Sequence, residues 1–222
     1  MSNKAFETIL EHKIVAIVRG FEPETVVEMA KAYCANGIHC VEITFDQTNP
    51  EKQYLTAQSI RMVKEALGDA MCVGAGTVMT TEQVDKAKAA GAKFVVTPGL
   101  DVEIVKYCQE VGMPIYPGCT TPTDYHAAFK LGLQVLKFFP AEQSGGLAKI
   151  KAMAAPFPMF KVMPTGGVSL KNLKEYLSCP VICACGGSYM VTADLIDNGE
   201  WDKIIELCKE SVKIVKEARN NG

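Results

Sequence analysis

The 222-residue sequence has no apolar run of the length that a membrane span needs, and its N-terminal segment lacks the apolar core of a signal peptide. It also has no basic run longer than a dipeptide, and 23 basic against 25 acidic residues leave a formal net charge of −2. This balance argues against nucleic acid or an acidic membrane as the main partner. We therefore expect a cytoplasmic protein that acts on a small soluble ligand.

The residue spacings that mark metal and disulfide sites are missing as well. Nine cysteines are scattered along the chain without a Cys-x-x-Cys pair, and the three histidines lie far apart, at positions 12, 39 and 126. Disulfide frameworks belong to short secreted chains, so we expect the cysteines to be reduced core residues. No metal site and no cofactor is predicted.

What the sequence has in abundance is short apolar runs, each followed by an amphipathic stretch that closes on glycine. This alternation is typical of strand–helix units in a parallel sheet. Helix starts are indicated by Pro23, by Asp101 as an N-cap, and by Thr123 or Asp124 as another. Eight apolar runs can be counted, and they begin near Ile14, Ile38, Met71, Lys93, Pro114, Gln134, Phe160 and Val181.

Eight units in 222 residues give about 28 residues per unit, which predicts a (β/α)8 TIM barrel of the α/β class. We expect a single domain over residues 1–222, with a short N-terminal helix before the first strand. An open doubly wound sheet is the alternative. The barrel is favoured because the ends of six strands carry polar or special residues, and such ends converge on one mouth only in a barrel. These residues are Arg19, Glu42, Thr77, Pro98, Lys137 and the turn Thr165-Gly166-Gly167.

Lys137 places an ammonium group inside an otherwise apolar strand. Strand alternation turns Leu136 and Phe138 toward the outer helices, so Lys137 points into the barrel. Burial disfavours the charged form of a lysine, and a neutral amine is a nucleophile for a ketone. The pattern therefore predicts a lysine that forms a Schiff base for carbon–carbon cleavage. A strand-end lysine that reaches solvent is the structural alternative.

Glu42 is a carboxylate in the same kind of position on the second strand, in Val41-Glu42-Ile43. Its face can meet Lys137 only inside a barrel. A carboxylate beside an imine-forming lysine can move the protons that dehydration and bond cleavage require. A salt bridge that only neutralises the two charges is the alternative.

Paired glycines end the last two strands, as Gly166-Gly167 and as Gly187 followed by Ser188. Barrels often bind phosphate through backbone N–H groups of the loops after strands seven and eight. Glycine suits this task because a side chain would hold the phosphate oxygens away from the amides. We expect a phosphate site there, although paired glycines are also common in ordinary turns.

Arg19 closes the first strand and is one of only three arginines, so an anion contact is predicted for it, with a plain surface role as the alternative. The turns around Thr77 and Pro98 are small enough to leave room for a ligand, and ordinary turn chemistry explains them equally well.

Taken in chain order, the strand-end motifs are VAIVRG, VEITF, VGAGTV, VVTPGLD, YPGCTTPTD, LKFFPAE, PTGGVSLKN and CGGSYMV. This series resembles the class I aldolases that cleave 2-keto-3-deoxy-6-phosphogluconate (KDPG) and 4-hydroxy-2-oxoglutarate (KHG). The resemblance runs from about Ile14 to the C-terminal helix. It implies a metal-independent lyase of carbohydrate metabolism and the Entner–Doudoroff pathway, built as a homotrimer of (β/α)8 barrels.

Carried over position by position, the resemblance makes Lys137 the Schiff-base lysine and Glu42 the proton-transferring residue. The products would be pyruvate and either glyceraldehyde 3-phosphate or glyoxylate. The positions matched to substrate binding are Gly166, Gly167, Gly187 and Ser188 for the phosphate, Thr77, Pro98 and Phe139 for the pyruvate part, and Arg19 for a further substrate contact.

One departure concerns the substrate carboxylate. Many members of the family carry an arginine four residues after the catalytic glutamate, and this chain has Asp46 there. A carboxylate would repel the substrate, so we expect Asp46 to point away and Thr77 with nearby backbone amides to bind the acid. The alternatives to an aldolase are a barrel sugar-phosphate epimerase, a thiamine-phosphate-type synthase, or a non-catalytic phosphosugar-binding protein.

Overall fold

Strands and helices alternate along the computed structural model, which describes residues 4–220. The strands are β1 (Ile14–Val18), β2 (Cys40–Thr44), β3 (Cys72–Gly76), β4 (Phe94–Val96), β5 (Ile115–Tyr116), β6 (Val135–Phe138), β7 (Lys161–Pro164) and β8 (Cys185–Gly187). The helices are α1 (Lys4–His12), α2 (Pro23–Ala35), α3 (Gln53–Leu67), α4 (Thr81–Ala90), α5 (Val102–Glu110), α6 (Pro122–Lys130), α7 (Gly146–Ala154), α8 (Leu170–Leu177), α9 (Ala193–Asp197) and α10 (Trp201–Asn220).

The eight strands form a closed parallel ring. Six of them pair in the order β5-β4-β3-β2-β1-β8, and β6 pairs with β7. A bridge between Gly118 and Lys137 joins β5 to β6, and a bridge between Val162 and Ile182 joins β7 to the segment that leads into β8. Because these bridges and the pairing of β1 with β8 give every strand a neighbour on both sides, the open doubly wound sheet is excluded and the predicted barrel is confirmed.

Alternation along the strands separates two apolar layers. Leu136 and Phe138 of β6 pack outward among the helices, whereas Val135 belongs to a cluster inside the barrel. The predicted N-terminal helix, α1, precedes β1 and buries Ala5 and Ile9 against the interior cluster. Side chains of this cluster therefore fill the barrel interior at the N-terminal ends of the strands.

Helix and strand starts agree with the sequence pattern except at three points. As predicted, α2 begins at Pro23, and the Asp101 side chain accepts a hydrogen bond from the Ile104 N–H at 3.0 Å. The predicted N-cap of α6 at Thr123 or Asp124 is wrong. Thr121 is the cap, and Asp124 is its partner in a reciprocal capping box. Strand β2 begins at Cys40 and β8 at Cys185, both later than the apolar runs suggested. None of the helices described up to residue 220 is long and apolar enough to cross a membrane.

Candidate active site

A cavity of about 330 Å³ opens at the carboxyl ends of the strands. The structure brings eight of the ten predicted site residues to its wall: Arg19, Glu42, Lys137, Phe139, Gly166, Gly167, Gly187 and Ser188. Thr77 and Pro98 do not line it. The wall also contains residues that the sequence pattern did not single out as site residues: Ile17, Phe21, Thr165, Val168, Val191, Thr192 and Ala193.

Lys137 reaches this cavity from β6, and only 5% of the residue is exposed. Because its two strand neighbours pack outward, its side chain points into the ring, as the alternation predicted. The Nζ atom lies 4.8 Å from the centroid of the Phe139 ring and 3.8 Å from Oε1 of Glu42. The alternative of a lysine that reaches solvent is therefore excluded, because the ammonium lies within the barrel mouth.

Glu42 stands opposite, on β2, and is 1% exposed. Its carboxylate lies directly over Gly76 of the neighbouring strand, and a Cβ atom at that position would collide with Oε1. Glycine at the end of β3 is thus what admits the carboxylate into the interior. The 3.8 Å separation from Lys137 Nζ is longer than a hydrogen bond, so the two groups attract each other without direct proton transfer between them.

Two buried oxygens that belong to cavity-lining residues have no hydrogen-bond partner among the described residues: Oε2 of Glu42 and Oγ1 of Thr165. An unpaired buried polar atom costs about 1–3 kcal/mol, so such atoms call for an explanation. At a cavity wall they are free to bind a ligand or its water. The sequence analysis placed Thr165 at the end of a strand but assigned it no role. A polar side chain at the end of a barrel strand is the feature that could have identified it.

The turns after β7 and β8 each have a backbone N–H group without a hydrogen-bond partner among the described residues. Gly166 and Gly167 adopt left-handed φ angles of +97° and +79°. Within residues 4–220, the N–H groups of Gly167 and Ser188 donate no intramolecular hydrogen bond. The turn is held in place by the loop after β6, because the Glu142 N–H donates to the Gly166 carbonyl at 3.2 Å. This arrangement offers two free donors at one side of the cavity, as an anion site requires.

Glu142 also supports the turn through its side chain. The side chain lies beneath Gly167, where a Cβ atom would collide with it, and it accepts a short hydrogen bond from the Tyr176 hydroxyl. Burial, followed by this hydrogen bond, raises the pKa of Tyr176. Gly167 is therefore required by packing from below as well as by its backbone conformation.

Arg19 and Thr77 meet at the rim. Arg19 is exposed, and its Nη2 donates to the Thr77 hydroxyl at 3.4 Å. Thr77 follows Gly76 and adopts φ +53°, a left-handed conformation that costs a residue other than glycine about 1–3 kcal/mol. Through Arg19 it adjoins the cavity without lining it.

Asp46 turns away from the cavity, as the sequence analysis expected. Its carboxylate accepts hydrogen bonds from the N–H and hydroxyl of Thr48, at 2.8 and 2.7 Å, and from the Asn49 N–H at 3.1 Å. These hydrogen bonds lower the pKa of the Asp46 carboxyl below its usual value, and the two from Thr48 contribute most. It lines a separate small pocket of about 80 Å³ between α2 and α3.

The family model for KDPG and KHG aldolase matches residues 6–207. The chain belongs to the KDPG and KHG aldolase family. This aldolase is 40% identical over 215 residues to the 2-dehydro-3-deoxy-phosphogluconate aldolase of Haemophilus influenzae, which covers 97% of this chain and 98% of that one. It is 34% identical to the KHG/KDPG aldolase of Escherichia coli, over 91% and 92% of the two chains.

Solved structures agree with this assignment. A KDPG aldolase from Legionella pneumophila, with pyruvate captured as a covalent carbinolamine, superposes with a TM-score of 0.84 at 32% identity, over 92% of this chain and 96% of that one. A tryptophan synthase alpha chain from the same organism reaches 0.72 at 12% identity, which shows the shared fold alone. The predicted family and enzyme class, a carbon–carbon lyase of the class I aldolase type, are confirmed. Family membership thus decides against the epimerase, the synthase and the non-catalytic binding protein.

Proposed function

We propose that this aldolase cleaves KDPG, KHG or both, with Lys137 as the imine-forming residue and Glu42 as the proton-transferring one. The observation that carries the assignment of roles is the buried Lys137–Glu42 pair, 3.8 Å apart at the wall of the large cavity. A lysine amine that is buried beside one carboxylate is the arrangement that imine chemistry requires.

The reaction begins when the Lys137 ammonium passes a proton through water to the Glu42 carboxylate, and the neutral Nζ then attacks the C2 ketone of the substrate and forms a carbinolamine. Glu42 delivers a proton to the departing hydroxyl, so water leaves and a protonated imine remains. Glu42, now a carboxylate, removes the proton of the C4 hydroxyl. As the C3–C4 bond breaks, its electron pair moves into the imine, an enamine forms, and the C4 aldehyde leaves.

The enamine then takes a proton at C3, and water hydrolyses the resulting imine to release pyruvate and free Lys137. Since the carboxylate and Nζ are not within hydrogen-bonding distance, a water molecule between them carries protons in these steps. Each step uses the two side chains and water, so we propose that no metal and no other cofactor takes part.

The phosphate of KDPG is assigned to Gly166, Gly167, Gly187 and Ser188. This assignment is supported by the free N–H groups of Gly167 and Ser188 and by the exposed Ser188 hydroxyl. The names of two relatives support a phosphorylated substrate, since the Haemophilus protein is named for KDPG and the Escherichia protein for both KHG and KDPG.

The pyruvate end is assigned to Phe139, Thr77 and Pro98, with Arg19 as an additional anion contact. Phe139 lies beside the Lys137 amine, and the Thr77 hydroxyl accepts a hydrogen bond from Arg19. Asp46 makes no part of this subsite, because its carboxylate is occupied by Thr48 and Asn49.

We also propose a cytoplasmic homotrimer. Self-association is supported by large apolar side chains that the single chain leaves exposed on separate helices, Tyr54 on α3 at 63% and Phe129 on α6 at 57%, because burial between copies would remove them from water. Light scattering of the purified protein should give three times the mass of the chain, and the mass of a single chain would refute the trimer.

The proposed activity is tested by pyruvate release from a panel of four keto acids: KDPG, its C4 epimer, KHG, and 2-keto-3-deoxygluconate without the phosphate. We expect the fastest release from KDPG or KHG. The absence of pyruvate from both of these substrates would contradict the proposal.

A further inference from the structure

Thr77 is held in an unusual backbone conformation. It is β-branched and adopts φ +53°, where such residues are outliers. The backbone is fixed on both sides, since the Phe45 N–H donates to the Gly76 carbonyl at 2.9 Å and the Val78 N–H donates to the Val96 carbonyl at 3.1 Å. Strained residues persist where the surroundings over-determine them, and they cluster at functional sites.

A chain of side-chain amides ends on this strained residue. Nε2 of Gln47 donates to the Thr77 carbonyl at 2.7 Å. Nε2 of Gln83, on α4, donates to Oε1 of Gln47 at 3.4 Å, and Oε1 of Gln83 accepts from the Met79 N–H at 2.7 Å. Gln83 is only 2% exposed, so the far end of the chain is anchored in the core.

The loop that carries Gln47 is also fixed. The Asp46 carboxylate accepts hydrogen bonds from the N–H groups of Thr48 and Asn49. The side-chain amide of Gln53 donates to the Asp46 carbonyl at 3.3 Å. Gln47 therefore reaches Thr77 from a braced loop. Together with the Arg19–Thr77 contact, these bonds join the loops after β1, β2 and β3 at the mouth of the barrel.

We infer that Gln47 is a positioning residue, which holds the left-handed Thr77 so that its hydroxyl presents toward Arg19 and binds the carboxylate end of the keto acid. The inference rests on the proposed function, because it assumes that Thr77 belongs to the pyruvate subsite. Gln47 touches the Thr77 carbonyl and acts on the substrate only through that residue.

Gln47→Met keeps the length of the side chain and removes its amide. Without the bond from Gln47, the peptide group between Thr77 and Val78 is held through its N–H and no longer through its carbonyl, so the Thr77 hydroxyl is positioned less firmly in the subsite. Lys137 and Glu42 are untouched, so we expect KM for the keto acid to rise about tenfold with kcat nearly unchanged. Gln58→Met is the matched control, because Gln58 is a half-buried amide on α3 whose Nε2 lies 3.8 Å from the Met62 sulfur.

The test is a double-mutant cycle with Thr77→Val, read in two ways: KM for the keto acid, and the pyruvate concentration that gives half-maximal labelling of Lys137 under borohydride. If Gln47 acts through Thr77, Gln47→Met raises both values in the wild-type background and neither in the Thr77→Val background. If Gln47→Met acted by destabilising the whole fold, its effect would also be seen in the Thr77→Val background and would add to the effect of Thr77→Val.

Three results would overturn the inference. Normal labelling of Gln47→Met, with an unchanged half-maximal concentration, leaves the proposed function standing and refutes the positioning role. Additive effects in the double variant do the same. If pyruvate fails to label the wild-type protein at all, the proposed function falls, and the inference falls with it.

Discussion

At the scale of single residues, the site depends on hydrogen-bonding groups of Glu42 and Lys137 that the protein itself does not use. Glu42 and Lys137 are both buried, yet the separation of 3.8 Å between them and the free Oε2 of Glu42 leave hydrogen-bonding capacity for substrate and water. A closer, fully bonded pair would be a structural ion pair with nothing to offer a ligand. The geometry thus favours the catalytic interpretation of this pair over simple charge neutralisation.

Glu42→Gln is the residue-scale test of proton transfer. The amide is nearly isosteric, so the protein should fold, but it cannot accept the C4 hydroxyl proton. We expect a drop in cleavage of about 10²–10⁴-fold, the usual contribution of a positioned acid or base, and loss of solvent exchange at the pyruvate methyl group by NMR. Cleavage by the unmodified enzyme should survive a chelator. Chelator-sensitive activity, or a fully active variant, would contradict the assignment.

A second residue-scale prediction concerns the thiols. Cys40 and Cys72 are paired neighbours on β2 and β3, and Cys72 is half-buried. A hydrogen bond from Cys40, with smaller contributions from Lys93 and Lys4, lowers the pKa of Cys72. Since the thiolate is the nucleophile, Cys72 should be alkylated first, and its reaction should persist to lower pH than that of an ordinary cysteine thiol.

Brief iodoacetamide treatment and peptide mapping measure this order. Cys72→Ser should remove the fastest phase of alkylation, whereas Cys34→Ser, the other half-buried cysteine, should leave it in place. Faster modification of Cys34 in the wild-type protein would contradict the lowered pKa of Cys72.

At the scale of strands and turns, the glycines of β3 make the space that side chains of the neighbouring strands occupy. Gly74 lies against the Phe94 ring and Gly76 against the Glu42 carboxylate, and a Cβ atom at either position would collide with its neighbour. Strand β3 therefore needs glycine at these positions because side chains of β2 and β4 lie directly over it.

Gly76→Ala should consequently displace the Glu42 carboxylate and abolish most cleavage, while the barrel still folds. Gly99→Ala is the control, because a Cβ atom there meets nothing within 4 Å and its φ is not left-handed. Circular dichroism and pyruvate release measure the two effects. Full activity in Gly76→Ala would show that the carboxylate has another position from which to act.

The turn after β8 is tested by Ser188→Ala. Removing the hydroxyl should raise KM about tenfold for KDPG, since a hydrogen bond to a charged group is lost, and should leave KM for unphosphorylated KHG unchanged. Gly167→Val is a poorer probe of the same site, because the new side chain would collide with Glu142 even without substrate. An equal rise in KM for both substrates would show that Ser188 does not bind the phosphate.

Much of this element-scale picture could be predicted from the sequence. Period-two alternation was enough to place Lys137 and Glu42 inside the ring, because outer helices must cover the apolar face of each strand. The cap of α6 was misplaced by two or three residues, since Thr121, Thr123 and Asp124 are all good caps and only the backbone geometry chooses among them. The left-handed Thr77 carries no signature in its own residue type, and its bond to Gln47 depends on contacts between loops.

For the whole molecule, closure of the ring is what assembles the site. Lys137 and Glu42 are far apart in sequence and stand on strands that are not paired with each other, so they can face one another only across a closed barrel. The number of strand–helix units predicted this closure. The wall contributed by Thr192 and Ala193 could not be predicted, because these residues follow the last strand-end motif, CGGSYMV, and have no motif of their own.

The central claim is that Lys137 forms an imine with the substrate ketone, and borohydride trapping tests it most directly. The protein is incubated with pyruvate and borohydride, and its intact mass and peptide map are measured. Lys137→Ala is run alongside, with Lys161→Ala, a strand lysine at the start of β7, as the matched control. We expect one pyruvate-derived group per chain, on the peptide that contains Lys137, in the wild type and in Lys161→Ala, and none in Lys137→Ala. Labelling of a different lysine, or no labelling of the wild-type protein, would contradict the claim.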